Sequence, residues 1–168
     1  MAAYRDMPTI YKPRTHKILQ TVIFLCTGYY YRSRFAEEVF NYRAARDGLS
    51  WVAQSRALAI ERGTNNVGAL SPFTLEALQE RCVVAQSEHR LPQQCSIIDL
   101  QTANHIIALN EVEHRTLMLE RFPHWEDRIE YWTVGDIDVL LPQVALSAID
   151  SQIDALVGRL ATAQSAAR

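Results

Sequence analysis

The run VIFLCTGYYYRSRFAEEVF, residues 22–40, constrains this chain more than any other stretch. An apolar, β-rich segment from Thr21 to Leu25 ends in Cys26. Arg32 and Ser33 follow after a gap of five residues, and a helical pattern starts at once. The chain must therefore pass from a strand, through a tight loop, into a helix, with a cysteine at the strand end and an arginine at the helix start. Gly28 allows the backbone to turn where a side chain would clash. Amides of such a loop can point inward as an anion nest, and the helix N-terminus adds its positive end. The planar fork of Arg32 matches two phosphate oxygens. The same field favours a thiolate over a thiol, and the thiolate is the nucleophilic form. Thr27, Gly28, Tyr29, Tyr30, Tyr31, Arg32 and Ser33 are the expected phosphate-binding positions. The residue types alone are common, and it is their placement between strand and helix that gives the motif its meaning.

The rest of the chain fits an α/β protein. Residues 1–16 carry prolines and mixed charge without periodicity and read as an N-terminal extension. Strands are expected at about 17–25, 51–54, 105–109 and 129–134, and helices at 33–47, 71–81, 96–102, 111–121 and 143–163. The stretches 55–71 and 82–95 read as irregular, and residues 164–168 as a fraying tail. Ser71 and Pro72 open their helix as N-cap and first-turn proline. Alternation of strands with helices predicts a parallel sheet. Four strands and about five helices suit a single three-layer domain over 17–163, with helices on both faces of the sheet.

Composition narrows the function. With 168 residues, one domain is the natural size. A net charge of −2 gives no general polyanion surface, so nucleic acid is not an expected partner. Three cysteines at irregular spacing form neither a disulfide framework nor a zinc pattern, and neither metal nor cofactor is expected. The sequence shows no signal peptide and no long apolar run. A reducing cytoplasm without a membrane is the expected setting, and it suits a free thiol nucleophile. A monomer or weak dimer is expected. The 15 arginines against two lysines have no physical explanation beyond composition bias.

A thiolate attacking phosphorus needs an acid for the leaving oxygen, and later a base for water. One carboxylate can serve both steps. In parallel sheets ligands bind at the C-terminal ends of strands. Asp136 lies just past the last expected strand, IEYWTV, and Asp138 two residues further. Asp136 is the preferred acid, with Asp138 the alternative. Tyr29 to Tyr31 are expected either to wall the pocket or to pack beneath it. His105 reads as structural, Trp132 as core, and Cys82 and Cys95 as half-buried.

These motifs resemble the low-molecular-weight protein tyrosine phosphatases and, more distantly, the thioredoxin-coupled arsenate reductases. The resemblance spans about 18–160. It is carried by residues 22–40 against the family pattern Cys-x-Gly-Asn-x-Cys-Arg-Ser, with support from AQSRAL, SEHRLPQQ and HIIALNEVEHRTL. It implies a flavodoxin-like phosphatase fold, with Cys26 as nucleophile, Arg32 as phosphate clamp, Ser33 as partner of the thiolate and Asp136 as general acid. It further implies hydrolysis of a phosphorylated protein, most plausibly at phosphotyrosine, or of a small phosphomonoester, with phosphate-like anions as ligands. Four departures stand out. Tyr29 replaces the asparagine that braces the family's loop, and Tyr31 replaces the second cysteine. Arg34 replaces a proline, and Ile137 replaces the proline after the acid. Arsenate reduction, or weak anion binding on the same scaffold, are the alternatives.

Overall fold

The computed structural model describes residues 18–63, 65–138 and 140–167. The expected N-terminal extension lies outside the described residues.

Strand β1 (Gln20–Cys26) lies at the centre of a four-stranded sheet. It pairs in parallel with β2 (Trp51–Ala57) on one side and with β3 (His105–Ala108) on the other, and β3 pairs with β4 (Glu130–Tyr131). The order is therefore β2-β1-β3-β4. A central parallel strand is covered on both faces, which is why its sequence is continuously apolar rather than alternating. Val22, Phe24 and Cys26 face one core cluster, and Ile23 and Leu25 face the other. Helices α1 (Arg32–Arg46), α2 (Pro72–Glu80) and α5 (Pro142–Ala166) cover the first face. Helices α3 (Ile97–Thr102) and α4 (Glu111–Arg121) cover the second. Phe24 packs against Phe40 at 6.0 Å and Trp132 at 5.7 Å between ring centroids. Each large apolar side chain so buried contributes about 1.5–3 kcal/mol.

Register brings the functional loops together. Cys26 lies beside Ala57, and Leu25 beside Ala108, so β1, β2 and β3 end at one edge of the sheet. Leu58 and Ala59 donate backbone hydrogen bonds to the carbonyls of Cys26 and Thr27, at 2.8 and 2.9 Å, and tie the next loop to the cysteine.

Several boundaries differ from expectation. β2 continues to Ala57 because Ser55 and Ala57 are buried between β1 and α1. The last strand pairs over only two residues, since as an edge strand it has one neighbour. A 3₁₀ stretch, Pro123–Arg128, precedes it, and Thr133 bridges back to Asn110 in antiparallel fashion. Helix α5 runs on to Ala166. On α4 the packing residues are Leu117 and Met118, while Val112 and Leu119, expected to pack, face solvent. Helix α2 ends in a Schellman motif, with Val83 N–H on the Leu78 carbonyl and Cys82 N–H on that of Gln79. Cys82 takes the left-handed position, φ +55°, and is exposed rather than half-buried. Cys95, by contrast, is buried in the cluster on the far face of the sheet.

Candidate active site

Cys26 ends β1 at the floor of a cavity of about 390 Å³. Its Sγ lies 2.8 Å from Ser33 Oγ, and the backbone N–H of Tyr29 donates to it at 3.3 Å. Ser33 sits in the first turn of α1, so strand end and helix start meet at the sulfur. Thr27, Gly28, Tyr30, Tyr31, Arg32, Asp136, Ile137 and Asp138 border the cavity. Pro72 and Phe73 close another side, and Arg62, Asn65 and Asn66 reach it from the loop after β2.

The two structural demands of the loop fall on different residues. Gly28 serves close approach: a Cβ there would meet Asn66 Nδ2 at 3.1 Å and Gly63 Cα at 3.4 Å. The left-handed backbone, which allows successive amides to converge on an anion, falls instead on Tyr29, with φ +56°. The ring of Tyr29 is fully buried behind the loop, outside the cavity, while Tyr30 and Tyr31 form its wall. The Tyr30 hydroxyl donates to the Val67 carbonyl at 2.7 Å, and that of Tyr31 to the Pro142 carbonyl at 3.1 Å.

Arg32 is only 2% exposed and holds two carboxylates at once. Its Nη2 lies 2.7 Å from Asp136 Oδ2 and 3.0 Å from Glu113 Oε2, and Nη1 reaches Glu113 Oε2 at 3.1 Å and the Val134 carbonyl at 3.2 Å. The Thr27 hydroxyl also donates to Glu113. Glu113 is the site residue that the sequence did not announce. Burial alone would raise its carboxyl pKa, but the Arg32 guanidinium and the Thr27 hydroxyl, both bonded to it, help to outweigh burial and hold it down at about 2. His114 is completely buried. Its Nδ1 accepts the Asn110 N–H at 3.0 Å, and its Nε2 lies 3.6 Å from Glu113 Oε1, beyond hydrogen-bond reach. Burial pushes the imidazole below its ordinary 6.5, so it stays neutral beside Arg32.

Asp136 meets Arg32, whereas Asp138 lines the cavity without a described contact to the loop cation. The acids before and at the start of the last strand lie elsewhere: Asp127 pairs with Arg115, and Glu130 with His105 and Arg159. Behind the loop, Arg34 is fully buried and donates to the carbonyls of Ala69, Ser87 and Arg90, and to Ser87 Oγ. Cys26, Cys82 and Cys95 are all free thiols.

Among the described residues no group of histidines, cysteines and carboxylates is arranged to hold a metal, and no helix is long and apolar enough to cross a membrane.

Comparison with known proteins matches this arrangement. A curated relative, the protein-arginine-phosphatase of Bacillus subtilis (strain 168), is 27% identical over 125 residues, which cover 72% of this chain and 78% of that protein. Among solved structures, Wzb of Vibrio vulnificus in complex with benzylphosphonate superposes with a TM-score of 0.70 at 16% identity, covering 84% of this chain and 99% of that one. A YwlE mutant from Bacillus subtilis does so at 0.65 and 20%, covering 87% and 99%. These structures share the fold. The family model for low molecular weight phosphotyrosine protein phosphatase matches residues 21–136, from the second residue of β1 to Asp136. The match spans more than two thirds of the chain, which thus belongs to the low molecular weight phosphotyrosine protein phosphatase family.

Proposed function

We propose that the chain hydrolyses phosphomonoesters through a cysteinyl-phosphate formed on Cys26, with protein phosphotyrosine as substrate. The observation that carries this reading is the sulfur of Cys26, held by Ser33 and the Tyr29 amide at the floor of a cavity bordered by Arg32 and Asp136. In the first step Sγ attacks phosphorus, the bond to the leaving oxygen breaks, and Asp136 gives that oxygen a proton. In the second, Asp136 takes a proton from water as the water attacks phosphorus, and the P–S bond breaks. The sulfur returns to Ser33 and the Tyr29 amide. Arg32 exchanges one carboxylate for two phosphoryl oxygens as substrate enters. Asp136 is the exchangeable partner, since it sits on a loop rather than a helix. Glu113 is fixed, because the Asn110 side chain caps its helix by accepting the Glu113 N–H at 3.0 Å. Tyr30, Tyr31, Phe73 and Ile137 supply the apolar walls that an aryl group needs.

A second substrate has one specific observation in its favour. Asp136 and Asp138 place two carboxylates at the cavity mouth, which would accept the guanidinium of a phosphoarginine, the class that the Bacillus relative's name records. Arsenate reduction is less well supported, because Cys95 lies in the opposite core cluster from Cys26 and Cys82 points to solvent.

The test is turnover of a phosphotyrosyl peptide and a phosphoarginyl protein by the wild type and by Cys26→Ser. Tyrosine phosphate should be the better substrate, and the serine variant should lose turnover while still binding inorganic phosphate. Substantial hydrolysis by Cys26→Ser would remove the cysteine from its role, and a preference for phosphoarginine would favour the second substrate.

A further inference from the structure

The left-handed backbone of Tyr29 is costly for a residue with a bulky side chain. Strained residues of this kind cost on the order of 1–3 kcal/mol and persist only where surroundings fix them. Here the surroundings are two arginines. The ring lies 4.9 Å from the guanidinium carbon of Arg34 and 5.5 Å from that of Arg90, measured to its centroid. Arg34 is pinned by Ser87 Oγ at 2.9 Å and by the Arg90 carbonyl at 2.9 Å. Arg90 pairs with Glu37 on α1, and Glu37 accepts the Ser55 hydroxyl from β2. Glu38 accepts the N–H groups of Gln86 and Ser87, at 2.9 and 3.0 Å. Buried Arg34, half-buried Arg90 and the buried carboxylates Glu37 and Glu38 thus sit together with their charges balanced, as buried charge must be.

Three of the four buried side-chain polar atoms without a hydrogen-bond partner among the described residues belong to this cluster: the Tyr29 hydroxyl and the Nε atoms of Arg34 and Arg90. The contact between ring and cations stands where hydrogen bonds would otherwise be. Tyr29 and Arg34 are also two of the positions at which the chain departs from its family's loop pattern, and the fold puts them in contact.

We propose that the Tyr29 ring, clasped by Arg34 and Arg90, is the brace that holds the anion loop in its binding conformation, replacing the asparagine hydrogen bonds of the family. The inference rests on the phosphate-binding role proposed for that loop. The residues are positioning residues: they act through the Tyr29 amide, which reaches Cys26 Sγ, and not on substrate. The Tyr29 hydroxyl makes no hydrogen bond of good geometry among the described residues, although Ser55 and Arg90 lie beside it, so the phenylalanine variant separates the ring's share from the hydroxyl's.

The experiment is binding of inorganic phosphate by Tyr29→Phe, Tyr29→Leu, Arg34→Met and the double variant Tyr29→Leu/Arg34→Met. Each is made in the Cys26→Ser background and read beside a thermal melt, and KM and kcat are measured for the same variants with Cys26 retained. Leucine keeps the backbone strain and an apolar side chain but removes the ring and its hydroxyl, and phenylalanine removes the hydroxyl alone. Phenylalanine, which keeps the ring, should weaken phosphate binding far less than leucine. Tyr29→Leu and Arg34→Met should each weaken binding by roughly ten- to thirtyfold, the scale of a desolvated cation–π contact. The double variant should lose little more than either single one. The rate of Cys26 alkylation by iodoacetate should move with phosphate affinity. If Arg34→Met does not fold, Arg90→Met, at the partly exposed face of the ring, reads the other half of the clasp and should weaken binding in the same direction. Leucine binding as well as phenylalanine, or additive losses in the double variant, overturns the brace. Coupled phosphate binding without turnover in the wild type would instead overturn the phosphatase reading and leave the brace standing.

Discussion

The two faces of the anion loop are held by opposite kinds of charge pairing. In front, Arg32 shares its fork between Glu113 and Asp136, both partly exposed, and in the reaction proposed above Asp136 gives way to the incoming phosphoryl group. Behind, Arg34 is held by carbonyls and by Ser87, Arg90 by the buried carboxylate Glu37, and Ser87 in turn by the buried carboxylate Glu38. The front thus pairs a cation with carboxylates at the cavity, and the back holds its cations mainly by carbonyls and one buried carboxylate away from the cavity. Function and stability should therefore respond to different substitutions on the two faces.

The largest separation is expected from the acid. Asp136→Asn should slow hydrolysis of an alkyl or phenyl phosphate by roughly 10²–10⁴, the usual worth of general acid catalysis, and leave the melting temperature nearly unchanged. With a nitrophenyl leaving group the loss should shrink. Rates plotted against leaving-group pKa for Asp136→Asn and Asp138→Asn check the assignment, and a steeper dependence for Asp138→Asn would reverse it. Arg32→Lys comes next. Lysine keeps the charge but not the fork, and a fall in kcat/KM of roughly 10²–10³ is expected, on the scale of a lost transition-state donor. A near-normal rate would take Arg32 out of the site.

The back face is probed by Glu38→Gln, which keeps the shape and removes the charge that holds residues 86 and 87. Urea unfolding should show a loss of about 1–3 kcal/mol, the cost of leaving buried donors poorly matched. KM should change less than it does on the front. A variant as stable as the parent would show that the back face is not held by its charges.

The smallest effect is a pH dependence that divides along α4. His114 has its folded pKa depressed below 6.5, so the unfolded chain binds the proton first. Its contribution is intact above 6.5 and is lost as pH falls below that value. Glu113, depressed from 4.5 to about 2, loses its contribution only as pH falls from 4.5 toward 2. Melting temperature against pH should therefore decline in two windows. His114→Gln should flatten the upper one and Glu113→Gln the lower, and a single window removed by either variant would mean that the two groups titrate as one.

The front of the loop was readable in sequence and much of its support was not, for a definite reason. Cys26, Arg32 and Ser33 lie within eight consecutive residues, and their spacing is set by local geometry between a strand and a helix. Asp136 could be placed because strand ends converge in a parallel sheet. Glu113 lies 81 residues from Arg32, and NEVEH gives no local signal for it. Asn110 in that segment is an N-cap, and an acid three residues later normally folds back onto the cap N–H. Here His114 Nδ1 takes that N–H, and the carboxylate is left to reach across to Arg32. The short β4 was overestimated because IEYWTV has the composition of a strand, while pairing depends on a neighbour that only β3 supplies. Tyr29 was legible as an oddity and not as a brace, since its partners Arg34 and Arg90 come together only in the folded chain.

The three thiols supply a practical consequence of their different surroundings. Cys82 stands exposed at the left-handed end of α2, Cys26 opens only onto the cavity, and Cys95 is buried, with burial and then Asp99 pushing its thiol up to about 12. A bulky maleimide dye should therefore attach at residue 82 alone in the native protein, and a small haloacetate should add residue 26. Residue 95 should be modified only when the chain opens globally. The protein thus carries its own three-channel reporter, for surface tethering, site occupancy and unfolding, without an engineered cysteine.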